Sequence, residues 1–214
     1  MLDYHIILAL EAMLPSYLGS SGLPAFKVLF DGEGVTDAVL TEWWNGLRPV
    51  SADGAVKLPE VRAFGAKATP GERAIYVSLL GEQPDSTPLG GTGDKKDANG
   101  AAIEQLDLDM TARLSIWGGT AEMTRALHVV VRAIILGTRR NFVSNTAPYS
   151  TFVYQGADAP TPLEEQIAED FGVVIRAVTV AAKRRVSVPQ VGPIPALKTW
   201  FVLASDLGGG AIIG

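Results

Sequence analysis

The residues from 108 to 188 constrain the fold more than any other part of this chain. Apolar and polar side chains alternate over Leu108–Trp117, which is the pattern of a half-buried strand. Gly118-Gly119-Thr120 breaks the alternation and opens a helical pattern that runs to about Arg140. The elements predicted after it are a strand at Thr151–Tyr154, an acidic helix at Leu163–Asp170 and a strand at Phe171–Val188.

The N-terminal residues predict a second helix. Asp3 is a candidate N-cap, and Ile6, Leu10 and Leu14 recur at helical spacing. Pro15 predicts a bend or an end of this helix. Residues 23–74 lack a clear period, and we expect them to be irregular, followed by a short buried strand at Ile75–Leu80. The predicted fold class is α+β: a mixed or antiparallel sheet flanked by a long helix and an N-terminal helix, with long loop insertions.

Length and composition predict a single domain over residues 1–214. Two segments are too poor in apolar residues to order themselves: a flexible insertion at 81–100 and an extended C-terminal tail at 189–214. No apolar run reaches the roughly 18 residues that a membrane span requires. The chain has no cysteine, which removes disulfides and thiolate metal sites and fits a reducing cytoplasm.

Candidate chemical groups are few. The run Gly90-Gly91-Thr92-Gly93-Asp94-Lys95-Lys96 suggests a phosphate-binding loop, but it lacks the spacing of such loops and is better interpreted as a flexible segment. His5 and His128 lack a nucleophile motif or a metal-ligand spacing, so we expect packed or interface histidines. The sequence therefore predicts no catalytic, cofactor-binding or metal-binding residue, and no enzyme.

The long helix carries three arginines on one side. Arg125, Arg132 and Arg139 repeat every seven residues and form one stripe. The stripe is a solvated face, a subunit contact or, given the net charge of −5, less favourably a surface that faces DNA.

The acidic helix at 163–170 is the natural partner surface if the stripe is a subunit contact. The predicted interface residues are then Arg125, Arg132, Arg139, Glu164, Glu165 and Glu169. Without such a contact, these carboxylates and Asp170 form a solvated face, with Glu164 and Glu165 well placed near the helix N-terminus.

The predicted strand Phe171–Val188 is longer than the usual five or six residues, and it is apolar on both faces. A strand that extends beyond its own sheet can pair with a neighbouring subunit. Its length therefore also favours assembly with other copies.

The order of these elements resembles the tail-terminator and neck proteins of tailed bacteriophages and, more distantly, the cap proteins of contractile injection systems. The helix start at Asp3–Leu14, the strand Thr151–Tyr154 and the segment Pro160–Val188 carry the resemblance, which covers mainly residues 1–18 and 106–188.

This resemblance implies a structural virion protein, without catalytic residues or a cofactor, that forms a homohexameric ring. The ring would terminate the tail tube and join it to the head connector, and DNA would pass through its lumen without specific binding. It implies assembly in the bacterial cytoplasm and no membrane partner. The alternative from the residues alone is a small α+β enzyme or ligand-binding domain without a recognisable motif.

Overall fold

The computed structural model describes residues 2–63, 73–84, 103–143 and 149–189. Five helices and five strands lie in these ranges. In chain order they are α1 (Leu2–Leu18), α2 (Leu23–Val28), α3 (Asp37–Leu47), β1 (Glu60–Ala63), β2 (Ala74–Pro84), β3 (Ile103–Trp117), α4 (Ala121–Phe142), β4 (Tyr149–Asp158), α5 (Pro162–Phe171) and β5 (Ile175–Pro189).

The strands form one mixed sheet in the order β1-β2-β3-β5-β4. β1 runs parallel to β2, β2 is antiparallel to β3, and β4 is antiparallel to β5. This confirms the predicted α+β class, with the N-terminal and long helices against the sheet.

The long strand β5 lies inside the sheet, between β3 and β4. Its pairing with β4 extends from Ala177 to Arg184. The outer strands of the described sheet are β1 and β4. Ala177–Val180 are buried on both faces of the sheet, which explains the apolar character of this part of β5.

One face of the sheet packs against four helices. Leu2, Ile6, Leu10, Leu14 and Leu18 form a fully buried stripe along α1, at the spacing of one helix face. α4 contributes Leu127, Val130, Val131, Ile134 and Ile135 to the same core, in which α2 and α3 also take part. The sheet side of this core includes Ile75, Leu114, Ile116, Val178 and Val180.

The opposite face of the sheet packs against α5. Tyr76, Trp117 and Ile175 point to this side, because neighbouring residues of a strand face opposite ways. Ile167, Ala168 and Phe171 of α5 pack on them. α4 and α5 therefore lie on opposite faces of one sheet.

The turn between β3 and α4 depends on a close approach of two backbones. A Cβ on Gly118 would lie 2.2 Å from the Thr124 nitrogen, so a side chain cannot be placed there without a shift of the helix start. Gly119 has φ +87°, a conformation that favours glycine. Thr120 is the N-cap, and its Oγ1 accepts a hydrogen bond from the Met123 N–H at 3.2 Å.

Residues 23–74 are not irregular as predicted, since α2, α3 and β1 lie there. Leu40, Trp44 and Leu47 are buried at i, i+4 and i+7 spacing, so α3 packs by the same rule as the other helices. The Trp44 indole N–H donates to the Tyr17 carbonyl at 2.9 Å. The prediction failed because this period spans only three turns between Gly- and Pro-containing segments.

Other boundaries also differ from the predictions: Phe171, predicted to open the last strand, ends α5, and β5 begins at Ile175. α1 continues through Pro15, and the Gly19 N–H donates to the Pro15 carbonyl at 2.8 Å. The Pro15 ring is on the exposed side of α1, so the missing N–H is near solvent. β2 extends to Pro84, so the first four residues of the predicted insertion at 81–100 are strand, held by pairing with β3.

The chain divides into two compact units. One consists of Met1–Pro84 and Leu108–Arg185, and it contains both cores described above. The other consists of Asp85–Asp107 and Val186–Gly214, of which only 103–107 and 186–189 are described. Residues 85–100 of the predicted insertion and 190–214 of the predicted tail lie outside the described residues, so the single-domain organisation stays a prediction.

Candidate functional site: two charged helical surfaces

The outer side of α4 carries the predicted arginine stripe. The apolar face of the helix is buried, which leaves Arg125, Arg132 and Arg139 exposed, with Leu136 between the last two. The Leu136 side chain remains 47% exposed. We call these four residues the basic surface.

The arginines of the basic surface are not equivalent. Arg125 pairs with Glu33 at 2.9 Å, but both side chains are at least one-third exposed, so the pair adds little to stability. Within the described part of the chain, Arg132 and Arg139 form no salt bridge. These two guanidinium groups are therefore available for a partner beyond the described residues.

His128 lies beside the basic surface and is buried, as predicted. Its Nε2 is 3.3 Å from the Tyr154 hydroxyl on β4. Burial lowers its pKa, and the positive charges of Arg176 and Arg132 lower the pKa further. His128 is therefore neutral at neutral pH and packs at the edge of the basic surface without adding charge.

His5 also contacts a side chain of the same chain. Its Nδ1 is 2.8 Å from the hydroxyl of Tyr149, which is 2% exposed. Burial raises the pKa of Tyr149 to about 12. The pair joins the start of α1 to the start of β4.

The solvent side of α5 forms a second, oppositely charged surface. Glu165, Glu169 and Asp170 are exposed there, and the helix contains no basic residue. We call these three residues the acidic surface. Leu163, 55% exposed, lies on the same helix.

Glu164, one of the predicted interface residues, is buried inside the chain. Its Oε2 accepts from Arg113 Nη2 and from the Thr161 N–H, each at 2.7 Å, and Ser115 donates to its Oε1. Thr161 and Glu164 form a capping box at the start of α5. Glu164 therefore anchors α5 to the sheet, because its two oxygens are occupied by groups of the same chain.

The charge of Glu164 is strongly stabilised. Burial alone would raise its pKa, but hydrogen bonds from Arg113, Ser115 and the Thr161 N–H outweigh burial and hold the pKa at about 2. Arg113 also donates to the Ala159 carbonyl at 2.7 Å and lies 3.5 Å from Asp158.

The sequence patterns did not predict the role of Arg113, although a signal was present. The alternation of β3 places Arg113 and Ser115 on the face opposite Leu114, in the middle of a strand that becomes buried. A buried arginine needs a carboxylate partner. Thr161 and Glu164, spaced as a capping box, marked one candidate carboxylate in the chain.

Three further expectations from the sequence concern a phosphate-binding loop, a metal site and a membrane span. The glycine-rich run at 90–96 lies outside the described residues. Among the residues that the structure does describe, no three His, Asp or Glu side chains are grouped to hold a metal ion. No described helix is long and apolar enough to span a membrane.

Comparison with known proteins shows a similarity to solved structures. No known protein family matches the chain, and no curated protein matches it. Among solved structures, the chain is similar to the sheath/tube terminator of PVC, an extracellular contractile injection system, in its extended state. The TM-score is 0.43 and the sequence identity 12%, over 99% of this chain and 72% of the other.

Proposed function

We propose that this chain is a structural protein of a phage-type tail, located in the neck of the virion. Copies of it form a homo-oligomeric ring, with six subunits, that terminates the tail tube and joins it to the head connector. The proposed partners are other copies, the tube and the connector, and the role requires no reaction. Assembly takes place in the bacterial cytoplasm.

The placement of the two charged surfaces carries the proposal. The basic surface on α4 and the acidic surface on α5 lie on opposite faces of the sheet, so they cannot pair within one chain. A contact between two different patches is heterologous, and such contacts generate closed rings or open filaments. A protein that ends a tube requires the closed form.

The test begins with the purified chain. We expect light scattering and negative-stain imaging to show rings with six times the chain mass of 22.6 kDa, either in solution or on tail tubes. Added to growing tubes of the cognate tube protein, the chain should stop elongation and be found at one end. A 22.6 kDa monomer at every concentration, together with no binding to tubes, would contradict the proposal.

A further inference from the structure

We propose that the ring contact joins the basic surface of one subunit to the acidic surface of the next, head to tail. This inference rests on the proposed function and names the partner: a second copy of this chain. Arg132 and Arg139 form the basic half, and Glu165 and Glu169 form the acidic half.

Charge complementarity between the two surfaces supports a second copy of this chain as the partner. Arg132 and Arg139 are exposed without a salt bridge in the described chain, and helix α5 offers three exposed carboxylates without a basic neighbour on the helix. Guanidinium groups form planar, bidentate pairs with carboxylates. Each surface lacks what the other supplies.

Other contacts inside the chain narrow the set of residues. Arg125 already pairs with Glu33, and Glu164 is 3% exposed and bonded to Arg113. Glu164 is therefore not available to another subunit, and Arg125 already has a carboxylate partner within the chain. The predicted interface set therefore reduces to two arginines and two glutamates.

Each charged surface also has an exposed leucine. Leu136 lies between Arg132 and Arg139 on α4, and Leu163 lies in the first turn of α5. Charged pairs fix orientation and register, whereas burial of apolar area supplies affinity. A contact between these two helices would bury both leucines.

Charge reversal tests the contact. Arg132→Glu with Arg139→Glu makes both surfaces acidic, and Glu165→Lys with Glu169→Lys makes both basic. Like charges then face each other, so we expect each variant alone to stay monomeric at concentrations where the unchanged chain forms rings. Lys57→Glu and Glu42→Lys, exposed and outside both surfaces, are the controls and should form rings normally.

Mixing the two reversed variants gives the sharper result. Every acidic surface then meets a basic surface of the other variant, so an equimolar mixture should form closed rings in which the variants alternate. The four substitutions combined in one chain should also restore rings. Native mass spectrometry reads out both the composition and the size.

Specific results would overturn the inference. Rings from each reversed variant alone would show that another surface makes the contact, while leaving the proposed function in place. A 1:1 heterodimer from the mixture would show an isologous contact. If Arg132→Glu with Arg139→Glu forms rings but loses retention of a DNA duplex that the unchanged ring retains, the basic surface faces DNA.

Folding of the variants is checked independently. All four residues are exposed, so circular dichroism and the thermal midpoint should stay close to those of the unchanged chain. If a reversed variant unfolds, Arg132→Gln with Arg139→Gln and Glu165→Gln with Glu169→Gln replace the reversed variants. Each should raise the protein concentration needed for half-maximal ring assembly at least tenfold. Unchanged assembly would overturn the inference.

Discussion

At the scale of single residues, a charged group in this protein has one of two roles according to its burial. Glu164 and Arg113 are buried and hold α5 to the sheet. Glu165 and Arg132 are exposed and available to a partner. Two adjacent glutamates in the sequence thus have different roles, because only one points towards β3.

The buried pair makes stability depend on pH. The folded-state pKa of Glu164 is about 2, below the ordinary value of 4.5, so the unfolded chain binds more protons between these values. The free energy of unfolding therefore falls as the pH drops from about 5 to about 2, by an amount on the order of 3 kcal/mol. Urea unfolding at several pH values, followed by tryptophan fluorescence, measures this dependence.

Substitution of Glu164 should remove that dependence. Glu164→Gln keeps a capping side chain but leaves the buried Arg113 charge with only the partly exposed Asp158, 3.5 Å away, so we expect a loss of about 3 kcal/mol at pH 7 and a flatter pH profile. Glu165→Gln, on the exposed side of the same helix, is the control and should cost about 0.5 kcal/mol or less. Equal losses for the two variants would show that the buried pair is not an anchor.

At the scale of elements, α4 connects the core to the basic surface. Its start is set by the Gly118 turn and the Thr120 cap, and its buried stripe orients the arginines outward. A shift of the helix start would move the whole basic surface, because a helix transmits displacement along its axis. The turn is thus a structural requirement for the proposed contact.

A glycine substitution in the turn, compared with one in the interior of α4, tests this close approach. Gly118→Ala should cost about 3 kcal/mol or more, because the added Cβ would lie 2.2 Å from the Thr124 nitrogen, a backbone atom. Gly137→Ala, in the exposed interior of α4 with no atom within 4 Å of the added Cβ, should stabilise the protein by up to about 1 kcal/mol. Thermal unfolding distinguishes the two, and similar effects would contradict the close approach.

At the scale of the whole molecule, the two charged surfaces make the chain directional. In the described residues the basic and acidic surfaces lie on opposite faces of the sheet, so the proposed contact would add copies head to tail. The net charge of −5 makes copies of the chain repel one another. In the proposed contact, the attraction between the basic and acidic surfaces must exceed this repulsion.

Ring assembly should therefore depend on salt. Raising the ionic strength from about 0.05 M to about 0.5 M shortens the screening length, so the ring fraction should fall while the thermal midpoint of the subunit changes little. Sedimentation velocity at matched protein concentration measures the ring fraction. Assembly that strengthens with salt would indicate an apolar contact in place of the charged one.

The sequence by itself determined the elements whose periods are long and uninterrupted. The existence of α1, α4, β3 and β5 followed from spacing, because a buried stripe must recur with the period of its element, whereas the end of α1 and the start of β5 did not. The exposed position of Arg125, Arg132 and Arg139 followed from the same rule. α2, α3 and β1 did not follow, since their patterns are short.

Only the tertiary structure decided which charges remain free. The partner of Arg113 is 51 residues away in Glu164, and that of Arg125 is 92 residues away in Glu33. Such pairs depend on how the sheet orders its strands, which local periodicity does not encode. The strand order also placed α4 and α5 on opposite faces, because alternate side chains of β2, β3 and β5 face opposite layers.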